Sequence, residues 1–222
     1  MVARAQEGGE ELMPREYILH RTRTALGRSI GQPPEAAPPA RISIPEMDLE
    51  ARIASLFANL EKLAGKTHRA SSPADARAYV AGLIGERSAV ASNAPFLREC
   101  GITDLPTVRS GFTNSEELRA VSADAEFGIT SADYALADTG TLVLFSSPQE
   151  ARMVSLLPPV HIAVVPREKI LTGLDELLAQ EPLPAGRSSS MLLITGPSRT
   201  ADIEQILVRG VHGPGEIHVI VV

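Results

Sequence analysis

Tryptophan is absent from this chain of 222 residues, and aromatic residues together make up only 4% of it. Lysine and arginine are scattered without a basic block, and the formal net charge is −6. A nucleic-acid binder ordinarily shows a basic patch and aromatics on which bases stack. Both are missing here, so nucleic acid is not an expected partner. No apolar run approaches the roughly 20 residues that cross a bilayer, so no membrane span is expected. The opening Met1-Val-Ala-Arg-Ala-Gln-Glu-Gly-Gly-Glu10 lacks the apolar core of a secretory signal, which points to a cytoplasmic protein. Cys100 is the single cysteine. One thiol excludes an internal disulfide framework and an iron–sulfur cluster held by this chain's own thiolates. Cys100 reads instead as a small apolar residue near the end of a short helix. No metal site is expected either, because His161, His212 and His218 show no ligand spacing.

What the chain does have is apolar residues, at 44%, and 17 prolines. The apolar content suffices for one substantial core, or for one domain with an appendage. Residues 1 to about 12 are small and charged and are expected to be disordered. Arg15–Leu26 has the apolar spacing of a short helix. Pro33, Pro34, Pro38, Pro39 and Pro45 then crowd the run from Gly27 to Pro45, where a fixed φ and missing N–H groups rule out regular structure. This gives an N-terminal arm and Pro-rich linker over 1–45 and one α/β domain over 46–222.

Within the domain, Leu49, Ile53, Leu56, Phe57, Leu60 and Leu63 form the stripe of an amphipathic helix, with Gly65 as its C′ residue. Gly65-Lys66-Thr67 looks like the end of a phosphate-binding P-loop. It fails as one, because Leu60 stands where the earlier glycine is required. Ser72-Pro73 opens a second helix, running to about Gly85. Ala89–Ala91 reads as a short strand, Pro95–Glu99 as a brief helix, and Ser115–Val121 as another, opened by the capping pattern Thr113-Asn-Ser-Glu116. Leu142–Phe145, Val160–Val165, Met191–Thr195 and Ile217–Val222 are solid apolar runs, as in strands covered on both faces. Ile170–Leu178 reads as a helix with Leu171, Leu174, Leu177 and Leu178 turned inward. Strands alternating with helices imply an α/β fold with a mostly parallel sheet and helices on both faces, where ligands gather at the carboxyl ends of strands.

The stretch Met191–Gln205 carries the clearest chemical suggestion. A buried strand is broken by Gly196-Pro197-Ser198, and the pattern then turns helical, with Ile203, Ile206 and Leu207 on one face. Ser198, Thr200 or Asp202 is the N-cap; the sequence does not choose. Such a turn directs backbone N–H groups, a positive helix end and Arg199 at one point, which suits an anion. It equally serves as a plain connection. Gly196-Pro-Ser-Arg-Thr200 also looks like a nucleophile elbow, but Thr200 replaces the final glycine and no Asp-then-His pair follows.

Four phrases carry a resemblance. They are Gly128-Ile-Thr-Ser-Ala-Asp-Tyr-Ala-Leu-Ala-Asp-Thr-Gly-Thr-Leu-Val-Leu144, Ser155-Leu-Leu-Pro-Pro-Val-His-Ile-Ala-Val-Val165, Thr195-Gly-Pro-Ser-Arg-Thr-Ala-Asp-Ile-Glu204 and Gly210-Val-His-Gly-Pro-Gly-Glu-Ile-His218. In this order they resemble the lactate utilization protein C family (LUD domain), over roughly residues 45–222. The resemblance implies the fold shared by ribose-5-phosphate isomerase, glucosamine-6-phosphate deaminase and coenzyme A transferases. It implies a role in oxidising L-lactate to pyruvate beside cysteine-rich and iron–sulfur partner proteins, with no cofactor on this chain alone. It supplies no catalytic residue.

The candidate site residues come from local chemistry. Asp138-Thr139-Gly140-Thr141 can hold a ligand through backbone N–H groups and two hydroxyls, with Asp138 as a base if burial raises its pKa; Gly140 can equally be there only for its positive φ. Arg152 and Arg199 are candidate anion clamps. Gly196, Pro197, Ser198 and Thr200 form the expected wall of a ligand site. His212, in a glycine-flanked loop, is a candidate general base, whereas His161 interrupts an apolar strand and reads as a hydrogen-bonded core residue. Two functions follow. One is a component of lactate utilization that binds a small anion or stabilises its partners. The alternative is a stand-alone enzyme acting on a phosphorylated or coenzyme A-linked small acid.

Overall fold

A computed structural model describes residues 14–33, 47–200 and 208–222. Contacts divide the chain into two units, Met1–Arg41 and Ile42–Val222. In the first, helix α1 (Pro14–Ala25) is largely exposed and is followed by a turn at Gly27, whose φ of +63° suits glycine. Pro34, Pro38, Pro39 and Pro45 lie outside the described residues.

The second unit runs in chain order through α2 (Leu49–Lys62), β1 (Lys66–Arg69), α3 (Pro73–Ile84), β2 (Ala89–Ala91), α4 (Pro95–Glu99), β3 (Val108–Arg109), α5 (Ser115–Asp124) and β4 (Phe127–Ser131). It continues through β5 (Tyr134–Leu136), β6 (Thr141–Phe145), α6 (Met153–Leu156), β7 (Val160–Val165), β8 (Ile170–Leu171), α7 (Leu174–Gln180) and α8 (Pro184–Arg187). The last elements are β9 (Met191–Ile194), β10 (Arg199–Thr200), β11 (Val208–Arg209) and β12 (Glu216–Val221).

Local chemistry sets the helix starts. Asp48 accepts from Ala51 N at 2.8 Å to cap α2, and Ser72 accepts from Asp75 N at 3.2 Å to cap α3, with Pro73 at its first position. In α5 the cap is Asn114, whose side chain accepts from Glu116 N and Glu117 N, rather than the expected Thr113. At the end of α2 the left-handed residue is Ala64, at φ +64°, rather than Gly65. Gly65 answers a different need: a Cβ there would lie 3.1 Å from Leu60 O and 3.3 Å from the Ile217 side chain.

The main sheet has six strands, all parallel, in the order β1-β12-β7-β4-β2-β3. Alternation along its strands separates two cores. One face sends Phe127, Ile129, Ile162, Val164 and Ile220 to α3 and α4, where Val80, Ile84 and Leu97 wait. The other sends Ala163, Val165, Ile217, Val219 and Val221 to α2 and to a second sheet. On that same face Val90 meets Leu118 of α5 and Val154 of α6. Gly128 lets α6 lie directly on β4, since a Cβ there would stand 1.8 Å from Val154 O.

The second sheet, ordered β8-β5-β6-β9, is mixed: β5–β8 is parallel, β5–β6 and β6–β9 antiparallel. This sheet and the separate β10–β11 ladder correct three readings. Met191–Thr195 is not a fully buried strand; β9 is an edge strand, half-buried, with Leu193 47% exposed. Ile170–Leu178 is not one helix, because Ile170 and Leu171 pair with β5 and only Leu174–Gln180 is helical; Leu174 and Leu178 are exposed. After the Gly196 turn, Arg199 and Thr200 pair antiparallel with Arg209 and Val208, so Ser198 does not cap a helix. The expected helical positions Ile203, Ile206 and Leu207 lie outside the described residues, as does Asp202.

Candidate functional site

The two expected turns adjoin. Pairing of Leu142 with Ile194 sets Thr141 beside Thr195, and their hydroxyl oxygens lie 2.8 Å apart. The string continues from Thr141 Oγ1 to Thr139 Oγ1 at 2.8 Å, and Thr139 donates to Asp138 Oδ1 at 3.1 Å. Helix α2 supports both turns. Asn59 Nδ2 donates to Ala137 O and Asp138 O, at 2.9 Å each. Gly140, at φ +68°, packs so closely that a Cβ would sit 2.9 Å from Leu60 N. Gly196, at φ +81°, rests against Leu63. Ser198 N then donates to Pro214 O at 2.8 Å, drawing the second turn against the loop that leads into β12.

A hollow of about 220 Å³ opens at this junction. Gly196, Pro197, Ser198 and His212 line it, together with Ser155 and His161. It lies at the amino ends of β7 and β12, not at the carboxyl ends where a parallel sheet usually receives ligands. Asp138, Thr139, Gly140 and Thr141 stand beside it without lining it. Asp138 and Thr139 are exposed, while Gly140 and Thr141 are buried. The Arg199 guanidinium donates to Leu63 O, and Arg152 is exposed just before α6; neither is in the lining. The Thr200 side chain lies outside the described residues.

His161 is the most constrained group in this wall. It is 1% exposed, between Gly128 and Ile217 on the neighbouring strands. Its Nε2 lies 2.8 Å from Thr130 Oγ1, while its Nδ1 has no hydrogen-bond partner among the described residues. Burial alone pulls its pKa down to about 4, because a charged imidazole would lose its hydration. The ring is therefore neutral at pH 7. His212 sits exposed at the rim.

A second hollow, of about 230 Å³, lies at the carboxyl ends of β2 and β4. Glu150 forms part of its wall and is 6% exposed. Oε2 accepts from Ser92 Oγ at 2.8 Å and Ser131 N at 3.3 Å, and Oε1 has no partner among the described residues. Desolvation raises the carboxyl pKa to about 8; the two donors oppose that rise and the nearby Asp133 charge adds to it. Arg187 also lines it and pairs with both Asp133 and Glu181. Nothing in the residue pattern singles out Glu150. It ends the polar run Ser146-Ser-Pro-Gln-Glu150, which reads as a solvated loop, and only the fold shows that its last residue turns inward.

Among the described residues, no three His, Cys, Asp or Glu side chains are placed to hold a metal ion, and no helix is long and apolar enough to cross a membrane.

Comparison with known proteins gives these features a setting. Lactate utilization protein C of Halalkalibacterium halodurans is 42% identical over 106 residues, 46% of each chain. Lactate utilization protein C 1 of Bacillus mycoides is 38% identical over 143 residues, 58% of this chain and 59% of that one. The chain thus spans about half the length of the curated relatives it matches. The crystal structure of a DUF162 family protein from Deinococcus radiodurans superposes with a TM-score of 0.60 at 19% identity, over 79% of this chain and 99% of that one. This likeness concerns the fold. The model of the LUD domain matches residues 53–222, which takes in both hollows and every strand of the main sheet, and the chain belongs to the LUD domain family.

Proposed function

We propose that this protein is a cytoplasmic component of L-lactate utilization and binds a small carboxylate in the hollow between the Gly196–Ser198 turn and His161. The relatives named lactate utilization protein C support the process. His161 is the observation that supports the ligand. A neutral imidazole carries one ring proton. Thr130 Oγ1 and Nε2 lie 2.8 Å apart, and the proposed binding calls for the tautomer in which the hydroxyl donates to Nε2 and the ring proton sits on Nδ1, the nitrogen without a partner among the described residues. An unmade buried hydrogen bond costs about 1–3 kcal/mol, and a carboxylate oxygen would satisfy it. Ser198 adds a hydroxyl donor and His212 a rim imidazole able to exchange protons. The hydroxyl string from Asp138 to Thr195 holds the turn in place from behind.

In this reading the redox step of lactate oxidation belongs to iron–sulfur and cysteine-rich partner proteins, since a lone, buried Cys100 cannot supply a cluster's thiolates. The chain's part is to bind and orient the acid. Calorimetric titration of the full chain with L-lactate and with pyruvate tests the binding. His212→Ala and Ser198→Ala are expected to weaken it about tenfold each, the loss of a hydrogen bond to a charged group. Equal affinity in both variants would place the ligand elsewhere. Deleting the gene tests the process: growth on L-lactate should fail and be restored by the unaltered gene. Undiminished growth, with no substitute gene present, would remove the chain from lactate utilization.

A further inference from the structure

Buried polar atoms without partners are few in a folded protein, and each asks for an explanation. Two of those among the described residues, Glu150 Oε1 and Ser146 Oγ, belong to residues that line one hollow, the one at the carboxyl ends of β2 and β4. Both lie on the connection between β6 and α6. Ser146 directly follows β6, and Glu150 closes the loop toward α6. Leaving both unmade would cost about 1–3 kcal/mol apiece, so the arrangement is expected to persist because something else completes the bonds.

The charges around the hollow narrow down what that is. Its cation, Arg187, is held between Asp133 and Glu181 and stacks over the Phe145 ring at 4.1 Å. Asp133 is committed as well: Oδ1 takes Arg187, and Oδ2 accepts from Phe145 N at 2.8 Å. Among the described residues no spare positive charge lines the wall. An anion would meet Asp133 and lack a counter-charge. The groups on offer are the Ser146 hydroxyl, a Glu150 carboxyl, the Gln149 amide and the face of Phe96. Hydroxyls and carboxyls both donate and accept, which matches the hydroxyls of a ligand. At about 230 Å³, against roughly 30 Å³ for one water in the liquid, the space suits a compact organic molecule.

We propose that this hollow is a second binding site, for a small uncharged molecule bearing several hydroxyls, which hydrogen-bond to the Ser146 hydroxyl and the Glu150 carboxyl. The position is the one at which parallel sheets most often receive ligands. Glu150 meets its ligand as a carboxylic acid, fixed by Ser92 and Ser131 at Oε2 and free to donate from Oε1. The site is separate from the carboxylate hollow, and neither depends on the other.

Amide NMR of the full chain, titrated with glycerol and with D-ribose, tests the proposal. Saturable shifts at Ser131, Ser146 and Glu150 are expected, with none at Ser198 or His212. Ser146→Ala should weaken binding at least tenfold. Glu150→Gln should keep it within about twofold at pH 7, because the amide presents the same donor and acceptor; Glu150→Ala should lose it. The same spectra report whether each variant is folded. Absence of any saturable shift would mean that the hollow holds water alone. Unchanged affinity in Ser146→Ala would remove the proposed contact. Response of these amides to L-lactate but to neither uncharged probe would overturn the ligand class.

Discussion

The two hollows lie at opposite edges of one sheet, and each contains a single buried titratable group kept uncharged. His161 is held without a proton it would otherwise take in mild acid; Glu150 is held with a proton it would otherwise release. Their settings differ. His161 is locked in an interior strand, with Thr130 on one nitrogen. Glu150 stands on a connection, tied down by Ser92 and the Ser131 amide. The contrast shows that one physical cause, loss of hydration, prepares opposite chemistry at the two edges: a nitrogen that stays neutral and an acid that keeps its proton.

The sharpest way to break this comparison is to remove one edge. Gly128→Ala drives a methyl group into the Val154 carbonyl. It should cost about 3 kcal/mol, near the upper range for overpacking, because backbone rather than a mobile side chain must yield. Chemical denaturation measures it. Helix α6, with Ser155, should shift from β4 and disturb the His161 hollow first. An unchanged midpoint would mean that α6 does not pack on β4.

A gentler test separates the two groups by pH. Glu150 has a folded pKa of about 8 against an ordinary 4.5. The folded chain binds the extra proton between these values, so stability falls as pH rises from about 4.5 to about 8. His161 has a folded pKa of about 4 against an ordinary 6.5. There the unfolded chain binds the extra proton, so stability is present above about 6.5 and is lost as pH falls toward 4. Each slope reaches at most about 1.4 kcal/mol per pH unit. Between about 4.5 and 6.5 the two slopes oppose each other, so Glu150→Gln should remove the fall above about 6.5 and uncover a rise of stability with pH below it, whereas His161→Asn should leave a fall across the whole range from about 4.5 to 8. Urea midpoints from pH 4 to 9 check both. If either variant also removes the slope that belongs to the other group, the two edges are coupled.

The smallest effects belong to the arginines. Arg199→Ala and Arg152→Ala should each change stability by no more than about 0.5 kcal/mol, as exposed side chains do. A large loss of L-lactate affinity in Arg199→Ala would bring that guanidinium into the ligand's contacts and sharpen the account of the amino edge.

Much of this was legible in the sequence. The α2 stripe, the Ser72-Pro73 start, the Val160–Val165 run and the glycine turn at Gly196 follow from periodicity and turn chemistry. Strand β1 was not legible, because Lys66–Arg69 is a short edge strand with no apolar run. The second sheet was missed because β8 has two residues and its register is fixed by pairing rather than by local preference. The direction of the Arg199 side chain depends on Leu63, far away in sequence. Glu150 was the largest omission: a carboxylate in a polar loop gives no local sign that the chain will fold over it.

Strand β1 has a further consequence. Its partner in the sheet is β12, and Lys66 meets Glu216 across a separation of 150 residues. At about 5–20 residues per second, a ribosome needs roughly 8–30 s to make that stretch. Throughout that interval β1 has no partner strand to pair with. Completion of this sheet must therefore wait on translation of residues 216–221.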